Sequence, residues 1–135
     1  MFYRLLFLFT AIPFVELVLL LEVGKRIGLF PTLFIVVATG VAGAALARLQ
    51  GFSVLRRLQQ DVQEGRMPTD SLLDGILVLV GALLLLTPGF LTDAAGFSLL
   101  IPGLRRLYRV RLKAYLRRKF RFEQEYFAAS DPDEF

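Results

Sequence analysis

Apolar positions dominate this chain in long blocks, and polar positions appear in short interruptions whose spacing predicts the elements. The first block, about residues 5–21, has the length of a minimal membrane-crossing helix, interrupted by Pro13 and by a carboxylate at Glu16. A short polar connection follows, where Glu22 and Arg26 stand at i and i+4 as an interfacial ion pair would. The second block, 29–47, holds no charge at all. Pro31 lies near its start, where a missing N–H costs nothing.

Between 51 and 64 the pattern changes to Phe52, Leu55, Leu58 and Val62 at helical spacing, with arginines and glutamines between them. That pattern predicts an amphipathic helix on the membrane surface, ended by Gly65 and Pro68. Thr69, Asp70 and Ser71 offer cap chemistry for the next helix, and Asp74 suits its positive end. A third block over 71–87 and a fourth over 90–104 are separated by Pro88-Gly89. The fourth ends at Pro102-Gly103. Proline removes a donor and clashes with the turn before it, and glycine accepts positive φ, so each pair predicts a stop and a turn.

The expected fold is therefore all-α: a polytopic membrane protein with four helical segments in the membrane, a surface amphipathic helix and a basic cytoplasmic tail. The last two segments form a Pro-Gly-broken hairpin. At 1.5 Å per residue its arms measure about 25 Å and about 22 Å, so a full crossing and a re-entrant turn both remain open. Beyond the hairpin, residues 105–122 read as a basic amphipathic helix, and 123–135 as an acidic disordered tail.

Charge decides the orientation. Nine of the sixteen Lys and Arg residues lie between Arg105 and Arg121. With an even number of crossings and the amino terminus inside, fourteen basic residues fall inside and only Lys25 and Arg26 outside. The positive-inside rule therefore puts both termini in the cytoplasm.

Composition narrows the chemistry. The chain is 56% hydrophobic and only 21% charged, with no Cys and no His. Thiol and imidazole catalysis and the common zinc sets are absent, no phosphate-loop motif occurs, and no cofactor is expected. A non-enzymatic role follows. Glu16, Pro88, Gly89, Phe90, Thr92 and Asp93 are the candidate functional or helix-packing residues of the apolar blocks. Asp93 has the position of a helix cap, and Glu16 that of a proton-path group or a neutral interhelix tie. Gly40 and Gly43, each four residues from an alanine, mark a close-packing face within the fold or between copies in a homo-oligomer. Arg105, Arg106, Arg109, Lys113, Arg117 and Arg118 are candidate contacts to anionic lipid headgroups; nucleic acid is the lesser alternative, since no fold for it accompanies the basic run.

Pro13-Phe14-Val15-Glu16, the glycine-rich second block leading into Arg48-Leu49-Gln50-Gly51-Phe52, and above all LLLLTPGFLTDAAGFSLLIP over 83–102 resemble the FxsA family of bacterial inner-membrane proteins. The resemblance covers about 5–106. It implies a small multi-pass membrane protein linked to suppression of plasmid-encoded phage exclusion, by sequestering an exclusion factor at the membrane. The basic-then-acidic tail departs from that pattern. Two functions are thus expected in order: a membrane scaffold that binds a protein partner or lipid, then a small oligomeric ion- or proton-coupled transport component using Glu16.

Overall fold

The computed structural model describes residues 1–129, with side chains as far as 121. The described residues form five helices and no strand: α1 (Phe2–Ile27), α2 (Leu29–Gln63), α3 (Thr69–Leu86), α4 (Phe90–Leu100) and α5 (Pro102–Ala129). Helices α1, α2 and α3 are each long and apolar enough to cross a membrane, whereas α4 has only eleven residues.

Most large apolar side chains point outward. Phe9, Phe30 and Phe34 are among many exposed by more than two thirds of their surface. In water such an exterior would collapse or aggregate; in hydrocarbon it costs nothing. The inward cluster is small, with Val54, Val78, Leu85 and Leu100 at its centre and Leu46, Ala47 and Phe97 packed against it. Small residues bring the backbones together. Leu85 packs onto Gly43, and α3 crosses α4 where Gly81 meets Gly96. A Cβ added at Gly96 would lie 2.8 Å from the Gly81 carbonyl oxygen.

Four boundaries differ from the sequence reading. α1 runs on to Ile27, so the polar connection expected after residue 21 is helical. The second block and the amphipathic stretch are one unbroken helix, α2. Gly51 does not interrupt it, because Val54 beyond it is buried in the core cluster and holds the chain helical. The amphipathic stretch thus turns one face to the protein, with Val54 against Gly75. At the other end, α5 begins at Pro102, and its backbone stays helical through 123–129, where disorder was expected. The remainder of the expected acidic tail, 130–135, lies outside the described residues.

α1 and α2 form an antiparallel pair joined at Gly28, whose φ of 95° suits glycine alone at so abrupt a turn. The α3–α4 hairpin is shorter. Its Pro88-Gly89 turn meets α1 at Glu16, and Asp93 meets α2 at Thr39. Glu16 is eleven residues from the end of α1, so the turn stops about 16 Å short of the Gly28 connection.

Candidate functional site

Two polar constellations interrupt the apolar body, and α4 and α5 position both. The first surrounds the Pro88-Gly89 break. A helix begins with four unpaired N–H groups, a costly state away from water. Here α4 gets its acceptor from another helix: Glu16 takes the N–H of Leu91 at 3.2 Å on Oε2 and that of Thr92 at 2.6 Å on Oε1. Glu16 is 5% exposed, although it lies mid-way along α1. The Thr92 hydroxyl turns back to the Thr87 carbonyl at 3.1 Å. Gly89 is buried, and a Cβ there would fall on the Glu16 carboxylate. Phe90 starts α4 half-buried and Pro88 stays exposed.

Asp93 does not cap α4. It is turned to α2, where the Thr39 hydroxyl reaches its Oδ2 at 2.7 Å, while its buried Oδ1 has no partner. The physical reason is competition: Glu16 already occupies the first-turn donors. Glu16 and Asp93 thus engage the first turn of α4 in two roles, one through backbone donors and one through Thr39. Beside Glu16 an apolar groove of about 590 Å³ opens between α1 and α3, walled by residues such as Phe9, Leu17, Val80 and Leu84.

The second constellation gathers on Asp74, which is 2% exposed. Arg109 of α5 donates to its Oδ2 at 2.8 Å and Arg57 of α2 at 3.3 Å, while Arg105 Nε stands 3.7 Å from Oδ1. Arg105 is itself buried and donates to Gln50 at 2.9 Å. Burial draws its guanidinium below the usual arginine value, and the Asp74 charge opposes that fall. One turn away, Lys113 holds Asp70 at 2.8 Å; this hydrogen bond lowers the Asp70 carboxyl below its ordinary value.

The six basic candidates of the tail therefore divide. Arg105, Arg109 and Lys113 lock α5 to α3, whereas Arg106, Arg117 and Arg118 stay exposed. Of the two candidate glycines of α2, Gly43 is buried under Leu85, while nothing lies within 4 Å of a Cβ added at Gly40. The expected Glu22–Arg26 pair forms at 3.3 Å. Sequence reasoning missed Arg57, Thr39, Gly81 and Gly96. Arg57 was hidden among the polar residues of an amphipathic stretch. Gly81 and Gly96 carry no local signal, since each matters only where the other crosses it.

An all-helical body with an apolar exterior, carboxylates drawn inward and most of its charge gathered at one end defines a membrane protein. The sequence profile of FxsA, described as a cytoplasmic membrane protein, matches residues 6–117, and the chain belongs to that family. It is 45% identical over 103 residues to UPF0716 protein YtzA of Bacillus subtilis (strain 168), covering 76% of this chain and 81% of that protein. To UPF0716 protein FxsA of Escherichia coli (strain K12) it is 34% identical over 104 residues, covering 77% of this chain and 66% of that one. The FxsA protein of Serratia marcescens is 29% identical over 111 residues, covering 82% and 80%. No solved structure matches the chain.

Proposed function

We propose that the protein is a non-enzymatic multi-pass scaffold of the bacterial cytoplasmic membrane, with both termini cytoplasmic and α5 as its docking arm. The observation that carries this reading is the division of α5. One face is locked to the membrane body through Asp74 and Asp70, and the other offers Arg106, Arg117 and Arg118 to a partner or to anionic headgroups. By this reading it sequesters a protein partner at the membrane, the behaviour that would account for a phage-exclusion phenotype.

In this topology α1 and α2 cross the bilayer, and α3–α4 is a re-entrant hairpin turning near its centre. The depth of the Pro88-Gly89 turn, level with Glu16, supports that arrangement, and Glu16 supplies the acceptor that water supplies elsewhere. The chain has no cysteine, so single introduced cysteines report topology cleanly. An impermeant thiol reagent on intact cells should label Lys25→Cys, and should label Met67→Cys and Arg106→Cys only after permeabilisation. Labelling of Arg106→Cys in intact cells would refute the topology. Truncation after Ala114 keeps the Asp74 and Asp70 contacts and should abolish partner recovery after crosslinking in native membranes; undiminished recovery would remove the docking role.

A further inference from the structure

At the charged end of the bundle a polar pocket of about 470 Å³ lies between α2, α3 and α5. Its charges are not evenly paired. Asp70 is neutralised by Lys113, and at the mouth Arg66 pairs with Glu64 at 3.2 Å. Asp74 alone faces three guanidiniums, which leaves two positive charges without a carboxylate among the described residues. Arg57 and Arg109 share its Oδ2, and each keeps further N–H donors on the pocket wall.

Asp61 shows the opposite imbalance. It lies one helical turn from Arg57, where an i, i+4 ion pair is the ordinary outcome. Arg57 is turned away to Asp74, so the Asp61 carboxylate accepts only the Ser71 hydroxyl, at 2.6 Å, and has no cation partner among the described residues. The pocket therefore presents a cationic end and an anionic end about one helical turn apart. Phe52 and Leu55, exposed and apolar, lie just before Arg57 on α2, which puts the pocket at the edge of the apolar belt, where headgroups lie.

We propose that this pocket binds a phosphoethanolamine group, with the phosphate on Arg57 and Arg109 and the primary ammonium on Asp61. The chemistry selects this group. A guanidinium fork matches phosphate oxygens, and a primary ammonium brings the donors and the charge that Asp61 lacks. A choline head carries the same charges but has no N–H to donate, and a glycerol head has no cation. The inference rests on the membrane reading above and deepens it, naming the headgroup that this end of the bundle recognises.

The test uses the purified full-length chain in detergent. Native mass spectrometry would follow retention of phosphatidylethanolamine, phosphatidylcholine and phosphatidylglycerol added one at a time. The expected result is one retained phosphatidylethanolamine, with the other two lost at lower collision energy. Arg57→Gln should weaken retention by about tenfold or more, the scale of a hydrogen bond to a charged group. Asp61→Asn should erase the preference for ethanolamine over choline and leave the melting temperature close to wild type. Lys25→Gln, exposed at the far end of α1, should change neither.

Free phosphoethanolamine forms the second arm. Displacement of the lipid at equal concentration identifies a soluble ligand, and failure to displace it identifies the membrane lipid. Equal retention of the three lipids, preference for phosphatidylglycerol, or unchanged selectivity in Asp61→Asn would overturn the proposal. Flotation with vesicles separates the two readings: a chain that floats but shows no headgroup preference loses this inference alone.

Discussion

Glu16 and Thr92 are 76 positions apart in sequence, and the carboxylate of the first accepts the backbone N–H of the second at 2.6 Å. A helix cap usually comes from the residue before the helix; here it comes from the middle of another helix. Glu16→Gln should cost about 1–3 kcal/mol, since an amide keeps one acceptor oxygen and forces an N–H group towards other donors. Thermal unfolding in detergent would measure it. A melting temperature equal to wild type would show that the cap contributes nothing.

Gly89 exists to make room for that carboxylate. Its own backbone is extended, with φ of 178°, so conformation does not require glycine. The space does, because a Cβ there would overlap Glu16. Gly89→Ala should destabilise by about 1–3 kcal/mol, the range of overpacking. The double variant with Glu16→Ala should lose less than the sum of the two single losses, because the methyl then enters vacated space. Strict additivity would separate the two residues.

Asp74 holds three helices by one side chain. Asp74→Asn keeps the volume and removes the charge, which leaves Arg105 buried without a counterion at a cost of about 3–5 kcal/mol. The expected signature is earlier tryptic cleavage within α5 while α1 remains protected. Arg57→Ala should do far less, because Arg57 is half-exposed and the longer of the two donors to Oδ2.

The outer end of the same lock responds to acid. The folded state lowers the Asp70 carboxyl below 3.8, chiefly through the Lys113 hydrogen bond. Its contribution is therefore present above pH 3.8 and is lost as pH falls through the folded value. A distance probe between α3 and α5 should lengthen only below that pH. Lys113→Ala should lengthen it at neutral pH and flatten the profile; the effect is small, since Asp70 is largely exposed.

The glycines sort by what crosses them. Gly96→Ala should cost about 1–3 kcal/mol by driving α4 off the Gly81 carbonyl, whereas Gly40→Ala, in open space, should stay within about 0.5 kcal/mol and can gain helix propensity. Melting temperatures of the two variants, compared in one detergent, decide this. A similar loss at Gly40 would point to a second copy packed on that face.

The helical class, the apolar blocks, the Pro-Gly breaks and the family were legible in the sequence, because lipid imposes its demand residue by residue. Each stretch must be apolar enough, long enough and internally hydrogen-bonded. The same locality marked Glu16 and Asp93, since a carboxylate inside an apolar run stands out with no knowledge of its neighbours. Their partners were not legible. That α4 is capped by Glu16, that Asp93 turns to Thr39, and that three of the nine basic tail residues serve α3 all depend on which helices cross at which height. The continuity of α2 through Gly51 had the same origin, since burial of Val54 outweighed a local weakness. The sequence by itself determined that this chain enters a membrane and where it must turn. Only the tertiary structure decided what each buried charge meets, because that pairing is set by contacts between residues 17 to 76 positions apart, and no local pattern encodes it.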